Sequence, residues 1–250
     1  MPAYMAERTL KKTLDHLPVD TIDEIILVDD ASTDGTVDLA RSLGLYVVVH
    51  PENRGYGGNQ KTCYKVALER GADVVILLHP DFQYDPTIIN TLIQPIVADE
   101  ADFVFGSRYA EGSNPRDGGM PLYRHLGNRA LTKVENLFMA TSFTELHSGY
   151  KAYSRLFLEA IGCDDFSDHF VFDSQLIITA VFSRRFRIKE VPIPTRYEET
   201  SSSVNIRNSL RYVTETLIYL VQSFARQRTI REVIDERLAK LEVSRATSPS

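Results

Sequence analysis

His79, Asp81 and Gln83 alternate in the stretch HPDFQYDP, directly after the apolar run Val74–Leu78. An abrupt change from buried-strand residues to an imidazole, a carboxylate and an amide marks the rim of a site. An imidazole and a carboxylate together can hold a divalent cation, although such ions usually take two carboxylates. Polar groups of the same kind follow other apolar runs. Asp29 and Asp30 come after IILV, His50 comes before NRGYGG, and Gly106, Ser107 and Arg108 come after FVF. If these ends converge, their acids, arginine and glycine-softened backbone suit a ligand carrying a sugar and a metal-bridged diphosphate. A cation offsets the phosphate charge and an arginine grips a phosphate with two donors.

Convergence requires a particular scaffold. The first two-thirds of the 250-residue chain alternate apolar runs of strand length with helical segments. EIILVDD, LYVVVH, ADVVILLHPD and ADFVFGSRY are strands. The intervening helices are DGTVDLARSLG, GGNQKTCYKVALERG and DPTIINTLIQPIVADE, the last with Asp85 as cap and Pro86 at its first position. This alternation predicts an α/β fold, a mostly parallel Rossmann-like sheet with helices on both faces. Beyond the glycine- and proline-rich loop after Tyr109 come a helix over about Leu122–Met139, the stretch HSGYKAYSR leading into a short helix, a helix in FVFDSQLIITAVFSR, and a late strand in FRIKEVPIPTRY. The expected organisation is a catalytic unit over 1–203, amphipathic helices over 204–243 and a disordered tail over 244–250. A net charge of −6 gives no electrostatic support for nucleic-acid binding. Cys63 and Cys163 lack metal-ligand spacing and are expected as buried free thiols. No segment has the length and apolarity of a secretory signal or a membrane span.

The ordered set PAYMAE, IILVDDASTDGT, NRGYGGNQKTCYKVALERGAD, HPDFQYDP, FVFGSR, HSGYKAYSR, FVFDSQL and EVPIPTRYEETSSSVNIRNSLRYV resembles family 2 glycosyltransferases of the GT-A fold. It is most similar to the branch of dolichol-phosphate and polyprenyl-phosphate sugar synthases, over about Pro2–Val213. The resemblance implies an inverting transfer of a sugar from a nucleotide diphosphate-sugar, assisted by Mg²⁺ or Mn²⁺. The acceptor implied is a lipid phosphate or a saccharide hydroxyl. Carried over motif by motif, Pro2 and Tyr4 line the base and ribose pocket, and Asp30 with Val28 holds the base or ribose. Asp81 is the metal-binding aspartate of a D-x-D motif, with Pro80 and Gln83 beside it. His79 replaces the first aspartate of that motif and serves the sugar side or, as a ligand, favours Mn²⁺. Arg108 meets the diphosphate or the sugar, and Arg196 closes over the phosphates. Asp173 is the general base for a hydroxyl acceptor, or an orienting group for a phosphate, which is already an anion.

One departure concerns the fold. The family opens with an apolar strand ahead of its PAYNE-like motif, and here the chain starts at Met1-Pro2, so the first strand is expected to be missing. The other readings are a non-catalytic nucleotide-sugar-binding protein and a sugar nucleotidyltransferase, whose glycine- and basic-rich opening loop has no counterpart here. The tail helices, with Arg207, Arg211, Arg226, Arg228 and Arg231, can lie on an anionic membrane surface, pack on the domain or meet a homodimer partner. The expected location is cytoplasmic, with peripheral contact at the inner face of the membrane.

Overall fold

The structure, a computed structural model, describes residues 1–113, 115–116, 119–194 and 206–247, with side chains given from residue 208 in the last segment. The expected alternation is present: β1 (Pro2–Ala3), α1 (Glu7–Asp15), β2 (Ile26–Asp29), α2 (Thr36–Ser42), β3 (Tyr46–Val49), α3 (Gly55–Glu69), β4 (Val74–Leu77), α4 (Ile89–Val97) and β5 (Phe103–Ser107). Then come α5 (Leu122–Met139), β6 (Lys151–Ser154), α6 (Arg155–Ile161), α7 (Phe172–Ser183), β7 (Ile188–Pro192), α8 (Ile206–Ala225) and α9 (Gln227–Thr247). Local chemistry sets the ends as expected. Asp85 accepts from Thr87 N ahead of α4, and Gly71 takes a φ of 90° just past α3, a conformation that costs other residues a Cβ clash.

The strands form a parallel set in the order β1-β2-β3 and a second set in the order β4-β6-β5-β7. In the second set β5 and β7 are parallel, while β6 runs antiparallel to both β4 and β5. Strand β6 is absent from the sequence expectation, because HSGYKAYSR carries a lysine and no alternating pattern. Its short length and full burial erase the period-two signal on which strands are recognised.

On the edge where a strand was expected to be missing, Pro2–Ala3 forms one. Pro2 and Ala3 pair in register with Val28 and Asp29. The Met1 ammonium donates to the Ile26 carbonyl at 2.7 Å, and Val28 N donates to the Met1 carbonyl at 3.0 Å. This edge of β2 therefore keeps backbone partners.

The main core gathers Phe103 and Phe105 of β5, Tyr153 of β6, Phe157 of α6 and Phe172 and Leu176 of α7. Leu220 of α8 and Ile234 of α9 are buried in the same cluster. The C-terminal helices thus pack on the sheet domain, and α9 continues past Ser244, where a disordered tail was expected, to Thr247. Cys63 and Cys163 are buried and free, as expected.

The glycines of NRGYGG serve a contact that places the site. Gly57 N donates to the Asp168 carbonyl at 2.8 Å, so the first turn of α3 lies directly under the 167–168 loop. A methyl on Gly57 would overlap the Ser167 carbonyl oxygen and sit 2.8 Å from Phe172 Cβ. Gly57→Ala is therefore expected to destabilise the fold by about 1–3 kcal/mol, measured by urea unfolding. An unchanged midpoint would refute this packing.

Candidate active site

A cavity of about 890 Å³ opens beyond the carboxyl ends of β1, β2 and β4. Pro2, Tyr4, Asp30, His79, Pro80, Asp81, Gln83, Arg108 and Asp173 all line it, as the sequence predicts. Val28 does not. Its side chain is fully buried and its carbonyl accepts from Asn59 Nδ2 at 3.0 Å, so it supports the strand rather than facing a ligand. Arg196 lies outside the described residues.

Three segments at the cavity turn through left-handed residues other than glycine: Met5 after β1, Ala31 after β2 and Phe82 after β4, with φ of 52°, 62° and 56°. Each such residue costs about 1 kcal/mol or more and persists where surrounding contacts hold it. Phe82 is held by His16 edge-on at 4.9 Å and by the Lys12 ammonium 4.1 Å over its ring. Its turn presents Asp81, whose Oδ1 accepts from Gln83 N at 3.0 Å.

Asp30 is more engaged than a ligand-binding carboxylate needs to be. Oδ1 accepts from Arg54 N at 2.8 Å and pairs with His50 Nδ1 at 2.8 Å, while Oδ2 accepts from Gly55 N at 3.0 Å. It holds the amino end of α3 against β2, and of its roughly four lone-pair sites one, on Oδ2, is left. His50 is buried between Asp30 and Thr62, a structural histidine.

A chain of contacts crosses the floor of the cavity. The Lys151 ammonium of β6, 1% exposed, stands 2.7 Å from Asp173 Oδ1 in the first turn of α7. Tyr56 donates its hydroxyl proton to Asp173 Oδ2 at 2.7 Å. The Tyr56 oxygen is also 3.3 Å from His79 Nε2, and with its own proton given to Asp173 it accepts from that ring nitrogen. The His79 lone pair is then at Nδ1. Burial lowers the His79 pKa against the opposing pull of Asp81 and Asp173, so the ring is neutral at neutral pH. Burial also lowers the Lys151 pKa, and Asp173 opposes that shift. Tyr56 keeps its proton, because burial and the adjacent Asp173 raise its pKa well above the ordinary phenol value.

Two further buried pairs form the opposite wall. Arg108 donates to Glu145 from its backbone N at 2.7 Å and from Nε at 2.8 Å, and Nη2 donates to the His147 carbonyl at 3.3 Å. Arg108 also lines the cavity. His147 stands with Nε2 3.0 Å from Glu135 Oε2 of α5 and Nδ1 2.7 Å from the Tyr212 hydroxyl of α8. Tyr212 continues to Ser174 of α7 at 2.7 Å. Sequence reasoning missed Tyr56, Lys151, Glu135, Glu145 and Tyr212. The glycines of NRGYGG drew attention away from its tyrosine. A lone lysine, glutamate or tyrosine in a helix or strand has no motif, and only burial distinguishes it.

The donor set for a cation is small. Among the described residues no three His, Cys, Asp or Glu side chains cluster to hold a metal. Asp81, alone or with His79 Nδ1, suits an ion that completes its shell with phosphate and water, as Mg²⁺ does.

Comparison with known proteins agrees with this geometry. The sequence model of glycosyl transferase family 2 matches residues 1–162. A UDP-N-acetylglucosamine–dolichyl-phosphate N-acetylglucosaminyltransferase from Methanococcus voltae is 31% identical over 80% of this chain and 86% of its own length. An undecaprenyl-phosphate mannosyltransferase from Micrococcus luteus is 30% identical over 66% of this chain and 68% of its own. Glucosyl-3-phosphoglycerate synthase from Mycobacterium tuberculosis, solved with Mn²⁺, UDP-glucose and phosphoglyceric acid, superposes with a TM-score of 0.69 at 20% identity. That superposition covers 90% of this chain and 78% of that one, and shows a shared GT-A fold.

The Lys151–Asp173 pair can be tested alone. Lys151→Met leaves a buried carboxylate without its cation and is expected to cost about 3–5 kcal/mol. Lys151→Met with Asp173→Asn should recover a large part of that loss in the same urea titration. Strictly additive effects would show that the two groups are not coupled.

Proposed function

We propose, from the premise that the chain belongs to glycosyl transferase family 2, that this glycosyltransferase moves a sugar from a nucleotide diphosphate-sugar to a phosphate acceptor, with inversion at the anomeric carbon. The observation that carries the acceptor class is the state of Asp173. Both its oxygens are engaged, Oδ1 by the Lys151 ammonium and Oδ2 by the Tyr56 hydroxyl. A carboxylate so placed is held in one orientation by its neighbours. Glu145 is likewise committed to Arg108, and Glu135, 3.0 Å from His147 Nε2, is fully buried away from the cavity lining. A phosphate needs no base, because it is already an anion at neutral pH. The Methanococcus and Micrococcus relatives, named for dolichyl-phosphate and undecaprenyl-phosphate, support a polyprenyl phosphate as that acceptor.

The remaining residues take roles consistent with their places. Tyr4 and Pro2 offer a surface for the nucleoside, and Asp30 offers its spare lone pair to the base or ribose. Asp81 is the ligand of Mg²⁺ or Mn²⁺, and a cation bound there would offset the charge of the departing nucleotide diphosphate. His79 and Gln83 flank it toward the donor sugar. Asp173 orients the acceptor, and Tyr56 couples that group to His79. Arg108 acts as a positioning residue, fixing the Ser107–His147 wall through Glu145.

Transfer with purified protein tests the assignment, using a short polyprenyl phosphate and its free alcohol as acceptors. Asp173→Asn combined with Lys151→Met, which removes the base without leaving the buried ammonium unpaired, is expected to keep phosphate transfer within about tenfold of Lys151→Met alone, whereas loss of a true general base costs about 10²–10⁴-fold. A loss of that size with the phosphate acceptor, or efficient transfer to the alcohol, overturns the phosphate assignment. Chelation by EDTA should abolish transfer, and added Mg²⁺ or Mn²⁺ should restore it. Asp81→Ala should lower kcat by about 10²–10³-fold. Full activity in EDTA would remove the cation from the scheme.

A further inference from the structure

The described glycines either take a positive φ or stand where an added Cβ would touch a neighbour, with one exception. Gly127 has an ordinary helical backbone in the second turn of α5, and an added Cβ there would meet nothing within 4 Å. A glycine inside a helix is destabilising relative to alanine, because it loses more conformational freedom on folding and exposes backbone to water. Neither the backbone conformation nor the packing of the protein calls for glycine at this position. Gly127 does line the cavity.

Its neighbours give the gap a shape. Tyr123 and Leu131, four residues before and four after, line the cavity as well. Residues at this spacing stand one above the other on a helix face. The row therefore runs from an aromatic ring through bare backbone to an aliphatic side chain. It makes a notch one side chain deep, with apolar walls. Tyr123 is exposed and Leu131 is buried. Arg124 and Asn128 occupy the adjoining row and also line the cavity, so the notch has a polar edge. The residues assigned above to the nucleoside, the cation and the donor sugar lie in or after β1, β2 and β4, and none of them comes from α5.

Resting on the phosphate-acceptor reading above, we propose that Gly127 is a specificity-determining residue for the acceptor. Its missing side chain admits the first prenyl unit of a polyprenyl phosphate between Tyr123 and Leu131. A prenyl unit is apolar and branched, and it matches the walls of the notch. A side chain at position 127 would occupy the same space. The charged end of the acceptor stays with the polar groups of the cavity. A saccharide acceptor carries hydroxyls around its ring, and the Tyr123–Leu131 walls would leave those turned toward them without partners.

The test is calorimetric binding of farnesyl phosphate to the full chain, with Mn²⁺ and UDP or GDP present, beside binding of each nucleotide alone. Gly127→Leu should weaken farnesyl phosphate binding by about tenfold or more and leave nucleotide binding unchanged. Gly127→Ala should raise the thermal melting midpoint by about 1–4 °C, which would show that the glycine is not kept for the fold. Equal binding of farnesyl phosphate by Gly127→Leu and the wild type overturns the notch alone. Absence of binding by the wild type overturns the phosphate-acceptor reading and the notch together. Equal weakening of nucleotide and farnesyl phosphate binding means a general disturbance of the cavity and overturns the assignment to the acceptor. A lower melting midpoint for Gly127→Ala gives the glycine a packing role and overturns the proposal as well.

Discussion

The buried ion pair between Lys151 and Asp173 is the constraint on which the rest of the site depends. An ammonium at 1% exposure and a carboxylate at 7% exposure are each costly to bury alone, and their 2.7 Å ion pair together with the Tyr56 hydroxyl on Oδ2 offsets part of that cost. Lys151 comes from the antiparallel strand between β4 and β5, and Asp173 from the first turn of α7. Tyr56, from the first turn of α3, completes the carboxylate and reaches His79 beyond β4. One electrostatic requirement therefore sets the relative positions of a strand, two helix starts and the loop that carries Asp81.

The same rule repeats around the cavity. Arg108 answers Glu145, and His147 with Tyr212 answers Glu135. Asp30 answers two backbone amides and a histidine. The acids that gave the sequence its catalytic look are largely matched within the fold. What faces the cavity is a framework of groups oriented by their neighbours. Such a framework suits ligands that bring their own charge, as a nucleotide diphosphate and a phosphate do.

The carboxy-terminal helices belong to this framework. Leu220 and Ile234 share the core with the strands, and Tyr212 reaches from α8 to His147 and Ser174. Helix α8 is thus a wall of the cavity on one side while it presents an apolar stripe to solvent on another. Helix α5 does the same, with Glu135 inward and Leu137 outward.

Much of this was legible in the sequence. The strand–helix alternation, the capping by Asp85, and the gathering of Asp30, His79, Asp81, Arg108 and Asp173 at one rim follow from periodicity, turn chemistry and motif order, which are local properties of the chain. Those properties name residues that can do chemistry and the edge on which they stand. Tertiary structure alone decided which of them remain available. Arg108 meets Glu145, far along the chain, at the cavity wall. Asp173 stands beside Lys151 because β6, invisible as a pattern, carries that lysine into the core. Val28 turned inward. The two residues Pro2 and Ala3 proved enough to keep β2 paired on that edge. The physical reason is the same in each case: the availability of a charge depends on its desolvation and on the partner it meets, and both are set by packing between segments distant in sequence.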